Sequence, residues 1–132
     1  MRISLHHLLV SACMLALTAC ATGDQGGPPH LDRVTVDPIL DQPGHFRPTF
    51  YFIDPDGDAD EVHRTVIAIE GHLPNFNPSS HIFIAPDVQR RGAVWTGAWA
   101  CDPEQISTTV RAYISDRRGN RSNAVDYKVR CR

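Results

Sequence analysis

The sequence lacks a long apolar segment, an excess of positive charge and the short motifs of several enzyme classes. Its apolar run at residues 8–17 is ten residues long, whereas a membrane-spanning helix needs about 20. Its 13 basic residues are outnumbered by 15 acidic ones, which disfavours nucleic acid as a partner because nucleic-acid-binding domains present a basic face. No G-x-S-x-G, HExxH or P-loop sequence occurs. We therefore expect a protein that is not an enzyme and does not bind nucleic acid.

The first 20 residues, MRISLHHLLVSACMLALTAC, have the pattern of a secretory signal peptide, which we expect to be helical. Arg2 precedes the apolar run, and the run ends in Leu17-Thr18-Ala19-Cys20. These four residues resemble the lipobox of bacterial lipoproteins, in which the chain is cut before the cysteine and the thiol is lipidated. The resemblance implies a signal peptide at residues 1–19 and palmitate-type acyl chains on Cys20. Val10-Ser11-Ala12-Cys13 fits the same pattern, but its apolar core would be interrupted by two histidines.

The resemblance also implies a location in the cell envelope. Two or three acyl chains hold a protein on a bilayer stably. Ala21 follows Cys20, where Asp would be the usual signal for retention in the inner membrane, so we expect the outer membrane, facing the periplasm or the cell surface. The Gly- and Pro-rich residues 20–31 are expected to form a flexible tether. Residues 32–132 are enough for one domain with one core.

Two cysteines remain in the expected mature chain, Cys101 and Cys131. An even pair in an oxidising compartment predicts a disulfide, and no C-x-x-C spacing suggests a redox role. The chain-entropy model gives such a loop about 3 to 4 kcal/mol of stabilisation. Without Arg2, the mature chain has 12 basic and 15 acidic residues and a net charge of −3.

Short apolar segments with a period of two predict an all-β domain. Turn-forming residues separate most of these segments, and no amphipathic helix is evident. Alternation predicts inward faces containing Phe50 and Phe52, and Val110, Ala112 and Ile114, and a shared face for Trp95, Trp99 and Cys101; Pro48 predicts an edge position for the start of its strand. The seven predicted strands are Arg33–Asp37, Phe46–Ile53, Val62–Glu70, His81–Ala85, Ala93–Cys101, Thr108–Ser115 and Ala124–Cys131.

Two segments resemble parts of known sandwich domains. The segment YISDRRGNRSN at residues 113–123 is similar to the final hairpin of bacterial immunoglobulin-like domains, and FYFIDPDGD at residues 50–58 is similar to a segment of immunoglobulin-like and cadherin-like domains. The resemblance implies a single immunoglobulin-like antiparallel β-sandwich of about seven strands. Asp116 and Gly119 have the chemistry of a tight turn in the hairpin. The disulfide would join the fifth and seventh predicted strands, unlike the disulfide of antibody domains.

The loop DPDGDADE raises the question of a metal site. Alternating carboxylates are a common source of calcium ligands, and the acidic residues here are Asp54, Asp56, Asp58, Asp60 and Glu61. The EF-hand spacing fails, because Ala59 stands where that loop needs Gly and Thr65 where it needs Glu. A solvated turn with good β-turn chemistry is the simpler interpretation. Weak calcium binding is the alternative, and calcium is the only cofactor that the sequence suggests.

Two further features suit a binding surface. Leu73 and Phe76 lie in a Pro- and Asn-rich loop, where they could anchor a partner or pack onto the end of the domain. Arg117, Arg118 and Arg121 crowd the final hairpin and could meet phosphates or carboxylates of an envelope polymer, or be simply solvated.

The leading hypothesis from sequence is a lipid-anchored envelope protein whose domain is a non-catalytic binding or structural module. Its partners would be the membrane, through the N-terminal lipid, and a protein or an envelope polymer. The alternative is a calcium-binding module of the adhesion type. A periplasmic hydrolase is less favoured, although acid–base pairs distant in sequence could meet in space.

Overall fold

The computed structural model describes residues 26–71 and 79–131, which form eight strands and one turn of 3-10 helix. All pairings between the strands are antiparallel. The 3-10 turn, Pro86–Val88, lies between the fourth and fifth strands. The expectation of an all-β domain is confirmed. The strands are β1 (His30–Pro38), β2 (His45–Ile53), β3 (Ala59–Gly71), β4 (Ser79–Phe83), β5 (Arg91–Trp95), β6 (Trp99–Ala100), β7 (Gln105–Asp116) and β8 (Val125–Arg130).

The strands form two four-stranded sheets. Sheet A has the order β1-β2-β5, with the short β6 also paired to β2, and sheet B has the order β4-β3-β7-β8. Strands β1, β2, β5 and β6 thus share one sheet. In the other sheet β3 pairs with β4 and β7, and β7 also pairs with β8. The two antiparallel sheets form an all-β sandwich.

The core lies between the sheets and is built from alternate residues of each strand. Phe50 and Phe52 of β2 are buried, as are Val110, Ala112 and Ile114 of β7. The ring of Phe50 meets Tyr127 edge to face, with 5.7 Å between the ring centroids. The buried residues of β2 and β7 form the inward faces that the period of two predicts. The residues between them point to the outer side of their sheet.

The predicted strand at residues 93–101 is divided into β5 and β6, which gives eight strands instead of seven. Thr96 is buried at the break, and its N–H donates to Pro48 O (3.3 Å). Pro48 has no N–H to donate to a neighbouring strand, and it lies opposite the interruption. The expectation that Pro48 marks a sheet edge is wrong, because β2 is a central strand. The prediction that the two tryptophans share a face is also wrong, because Trp95 is exposed whereas Trp99 packs against the core.

The predicted disulfide and final hairpin are confirmed. Cys101 follows β6 and Cys131 follows β8, and their bond joins the two sheets with 5.8 Å between the Cα atoms. In the hairpin between β7 and β8, Asp116 Oδ1 accepts hydrogen bonds from the N–H groups of Arg118 (2.9 Å) and Asn120 (2.8 Å). Gly119 has a φ of +84°, a conformation that glycine adopts without strain.

Several predicted features lie outside the described residues. They are the signal peptide, the lipidation site Cys20 and the loop residues Leu73 and Phe76. Strand β1 begins at His30, and Leu31 is fully buried. The first strand therefore begins slightly before residue 32, the expected start of the domain. Within the described part of the chain, no helix is long and apolar enough to span a membrane.

Candidate functional site

The loop between β2 and β3 gathers three carboxylates at one end of the sandwich. Asp54 directly follows β2, and the loop reverses direction through Gly57, whose φ is +74°. The N–H of Asp58 donates to Asp54 Oδ2 (2.9 Å), which draws the two ends of the loop together. As a result, one oxygen from each of Asp54, Asp56 and Asp58 lies within 4.8 Å of the others. The structure therefore brings together three of the five acidic residues singled out from the sequence.

The remaining two acidic residues point elsewhere. Asp60 lies 3.9 Å from Arg117 Nε, and Glu61 lies 3.3 Å from the Nε2 atom of His63. Asp60 is also tied by its backbone, because its carbonyl accepts from the N–H of Ile84 (2.7 Å). The candidate site is accordingly limited to the three carboxylates of Asp54, Asp56 and Asp58, which we call the acidic triad.

The acidic triad contains buried oxygens that no hydrogen bond satisfies. They are Asp54 Oδ1, both carboxylate oxygens of Asp56, and Asp58 Oδ1. Asp54 as a whole is fully buried. A buried carboxylate oxygen without a partner is costly, because it has lost its hydration and gained nothing in return. Four such oxygens on three neighbouring carboxylates are the strongest sign that this loop is more than a turn.

Arg118 is the cation beside the acidic triad in the described structure. Its Nη1 lies 3.4 Å from Asp56 Oδ2 and its Nε lies 3.4 Å from Asp58 Oδ2. These are ion-pair distances, but no hydrogen bond satisfies Asp56 Oδ2. Arg90 also approaches the loop, where it donates to the carbonyl of Pro55 (2.7 Å) and not to a carboxylate. One guanidinium thus faces three carboxylates.

The backbone of the N-terminal segment covers the loop on another side. The Asp56 carboxylate lies directly against Gly26, where even a methyl side chain would collide with it. The side chain of Asp56 is only 10% exposed, compared with 18% for that of Asp58. The segment that leads into β1 therefore helps to bury the acidic triad.

Burial and like charge affect the titration of Asp54. Burial raises the pKa of the Asp54 carboxyl above its ordinary value of 3.8, and the adjacent charge of Asp56 raises it further. The N–H of Asp58 opposes this rise by stabilising the carboxylate. The raised pKa means that the protein environment disfavours the charged form of Asp54.

The donor set fits a calcium ion better than other common metals. Calcium takes six to eight oxygen ligands at 2.3–2.6 Å in flexible geometry, and the four unpartnered oxygens would supply part of that shell, with water or backbone carbonyls supplying the rest. The acidic triad contains no nitrogen or sulfur ligand, which zinc and copper sites prefer. Magnesium keeps several waters and demands a near-octahedral site, so it would gain less from a cluster of buried carboxylates.

The three arginines of the final hairpin do not form one free basic patch. Arg118 faces the acidic triad, and Arg117 donates to the Gln89 side chain (3.2 Å). Arg121 lies over the ring of Tyr113, 5.0 Å from its centroid. Two of the three arginines, for which the sequence left open contact with a polymer or simple solvation, are thus engaged with neighbouring loops.

The outer surface of sheet B carries a second cluster that the sequence did not suggest. His63 stacks on Tyr113 with 4.6 Å between ring centroids, and His81 lies on its other side at 6.3 Å. His63 pairs with Tyr113 and with His81 in the strand register, so three distant residues become neighbours. Burial lowers the pKa of His63, and the nearby His81 and Arg121 lower it further, against an opposing effect of Glu61. Only the strand register could have revealed this cluster.

No protein-family model matches the chain, and no curated protein or solved structure matches it either.

Proposed function

We propose that the chain is a lipid-anchored protein of the cell envelope and that its sandwich is a non-catalytic binding or structural module. The observation that supports this proposal is the sequence Leu17-Thr18-Ala19-Cys20 at the end of a short apolar run, followed by a Gly- and Pro-rich segment and then by the sandwich. Lipid chains on Cys20 would hold the sandwich at a membrane surface. The outer membrane is the proposed address, because Ala21 follows the cysteine.

Metabolic labelling with a palmitate analogue tests the anchor. The full chain should incorporate the label and remain with the membrane fraction in high salt, and Cys20→Ala should abolish both properties. Cys13→Ala is the matched control, because Cys13 lies in the competing motif and its loss should leave labelling intact. Labelling that survives Cys20→Ala would refute the assignment. Cross-linking in cells followed by purification would then identify the partner, and recovery of this chain alone would argue against a binding module.

We also propose that the module binds calcium through the acidic triad. The observation that favours this second function is the set of four buried, unpartnered carboxylate oxygens on Asp54, Asp56 and Asp58. Extracellular calcium modules bind with dissociation constants of about 0.1 to 1 mM, and we expect an affinity in that range because the acidic triad offers few ligands and an arginine competes for them.

Isothermal titration of the detergent-solubilised mature protein tests calcium binding directly. Calcium should give a saturable heat with one site per chain, and magnesium at the same concentration should give much less. Asp54→Asn should remove the calcium heat, whereas Asp60→Asn should retain it, because Asp60 points away from the acidic triad. Equal heats in wild type and in Asp54→Asn would exclude this site.

A further inference from the structure

The outward side of sheet A concentrates positive charge and aromatic rings. Its neighbouring strands β1, β2 and β5 place outward-facing residues side by side, with Arg33 opposite Tyr51 and Thr49 opposite Trp95. Trp95 is 62% exposed and Ile53 is 40% exposed. We call this surface the arginine-aromatic face, and its defining residues are Arg33, Arg47, Tyr51, Ile53, Arg91 and Trp95.

The arginine-aromatic face carries three arginines and two acidic residues. Within the described residues, Arg47 and Arg91 make no ion pair, and Arg33 meets its exposed neighbour Asp32 at 3.4 Å. Asp37 lies opposite Arg47 in the strand register, where it accepts a hydrogen bond from Thr35 and makes no ion pair.

Sheet B differs in this respect, because its outward-facing Arg111 pairs with Asp126 (2.8 Å) and Lys128 with Glu70 (3.2 Å). The mature chain has a net charge of −3, with 12 basic and 15 acidic residues. A face with Arg33, Arg47 and Arg91 against Asp32 and Asp37 has a charge of +1 (3 − 2) and is a local reversal of sign. Such a face attracts a negatively charged surface.

Two arginines lie over the exposed rings. The guanidinium of Arg33 is 4.2 Å from the centroid of Tyr51, and that of Arg47 is 4.8 Å from the centroid of Trp95. Shallow hollows of about 360 and 380 Å³ flank these pairs, and exposed Leu40 lines the second beside Trp95. Paired cationic and aromatic side chains with apolar neighbours suit the interface of a bilayer, where phosphates lie beside acyl chains.

The N-terminal segment keeps this face near a membrane if Cys20 is lipidated. Gly26 is fixed against Asp56 at the end of the sandwich where β1 begins. Five residues lie between it and Cys20, and the six Cα-to-Cα steps span at most about 21 Å. His30, Ile53 and Arg91 are cross-strand neighbours on β1, β2 and β5. They lie at this same end, so the arginine-aromatic face starts close to Gly26. A domain held this close meets the headgroups at a high effective concentration.

We propose that the arginine-aromatic face docks on the headgroups of anionic phospholipid in the membrane that anchors the chain. The proposal rests on lipidation of Cys20 and adds an orientation: sheet A faces the bilayer and sheet B faces away. The three arginines bind phosphate, and Trp95 and Ile53 enter the interfacial layer. Each arginine near an anionic surface is worth about a five-fold change in the ratio of docked to undocked domain.

Trp95 can report its own environment, because the chain has two tryptophans and Trp99→Phe leaves one. The full lipidated Trp99→Phe protein is reconstituted in vesicles of neutral phosphatidylcholine, with or without 30% anionic phosphatidylglycerol, that contain lipids brominated near the headgroup. We expect quenching and a blue shift of Trp95 emission in the anionic vesicles, and loss of both in high salt. Adding Arg33→Gln, Arg47→Gln and Arg91→Gln together should lower the docked-to-undocked ratio by about 100-fold.

Two control arms make the result decisive. Arg111→Gln with Arg130→Gln removes two arginines from the outward side of sheet B and should leave the quenching of Trp95 unchanged. Hydroxyl-radical labelling of the unsubstituted protein should show Trp95 and Tyr51 protected by anionic vesicles, so the test does not depend on Trp99→Phe folding normally.

The outcomes separate this proposal from the anchor. If Cys20 is not lipidated, the protein leaves the vesicles in high salt, and the anchor has failed. If the protein stays bound but Trp95 is equally unquenched in both kinds of vesicle, the docking proposal is wrong and the anchor stands. Protection of Trp95 by a soluble anionic glycan, with none from anionic vesicles, would identify another occupant and also overturn the docking proposal.

Discussion

Replacing Asp54 with Asn should have opposite effects on the stability of the protein with and without calcium. Without calcium, Asp54→Asn removes one charge from the fully buried end of the acidic triad. The substituted amide keeps an oxygen that can accept from the N–H of Asp58. Its NH₂ group can donate to the unpartnered oxygens of Asp56 or Asp58. The metal-free variant should therefore be more stable than the wild type.

The magnitude follows from the spacing of the charges. The carboxylate oxygens lie within 4.8 Å of one another, and two unit charges at that limit repel by about 3.5 kcal/mol at an effective dielectric constant of about 20. Attraction to Arg118, relaxation of the loop and partial protonation of Asp54 remove much of this energy. We expect a net gain of about 1 to 2 kcal/mol at neutral pH, similar to the cost of one unsatisfied buried polar group.

The sign of the pH dependence follows from the raised pKa of Asp54. An acid whose pKa is higher in the folded state stabilises the fold below its ordinary pKa of 3.8 and loses that contribution as the pH rises through the raised value. The advantage of Asp54→Asn without calcium should thus be greatest at neutral pH and disappear near pH 3.

Calcium reverses the order of stability wherever its contribution exceeds the gain of about 1 to 2 kcal/mol that the variant has without it. With a dissociation constant of about 0.1 to 1 mM, 10 mM calcium stabilises the wild type by about 1.4 to 2.7 kcal/mol. At roughly 5 °C per kcal/mol for a domain of this size, the melting temperature should rise by about 7 to 14 °C. Asp54→Asn should show little of this rise.

The assay is urea and thermal unfolding of the mature protein in a calcium chelator and in 10 mM calcium, followed by circular dichroism. Asp60→Asn is the matched control, since it removes one acid from the start of β3, next to the loop but outside the acidic triad. It should respond to calcium as the wild type does. A large loss of stability for Asp54→Asn in chelator, or an undiminished calcium response, would show that our account of the loop is wrong.

Three further predictions concern the rest of the sandwich. Replacing Cys101 and Cys131 with Ser should lower the free energy of unfolding by about 3 to 4 kcal/mol in urea, and a loss below about 1 kcal/mol would contradict a strong constraint between the sheets. Asp116→Ala removes an acceptor of two backbone N–H groups and should cost about 2 kcal/mol; an unchanged urea midpoint would contradict its role in the turn. The lowered pKa of His63 means that its contribution to stability is present above pH 6.5 and is lost as the pH falls through the lowered value. His63→Gln should therefore reduce the loss of stability between pH 7 and pH 5, and an unchanged pH profile would refute this.

Local sequence patterns were sufficient to predict most of the strands and the final hairpin. Alternating apolar residues located the inward faces of β2 and β7, because a period of two is a direct consequence of strand geometry. The turn at Asp116 and Gly119 was also predictable, since its hydrogen bonds connect residues at most four apart. The disulfide followed from cysteine number and compartment and needed no knowledge of the fold.

The errors arose where distant segments decide the structure. The break between β5 and β6 lies opposite Pro48, and nothing within residues 93–101 shows that this proline will be the neighbour. In the same way, the pairing of Ala59 with Asp116 brings the start of β3 beside the final hairpin. This register places Arg118 at the acidic triad, so the arginine that looked free in the sequence became a counter-ion.

The charge balance of the acidic triad explains why calcium and Arg118 are compatible. Three carboxylates carry a charge of −3 when ionised, and Arg118, the guanidinium within 3.4 Å of two of them, contributes +1. A divalent cation cancels the remainder. Asp54 Oδ1, Asp56 Oδ1 and Asp58 Oδ1 have no hydrogen-bond partner, and the two Arg118 contacts involve Oδ2 atoms instead. The arginine therefore limits repulsion in the metal-free loop without occupying every oxygen that the ion needs, and the loop can fold before calcium arrives.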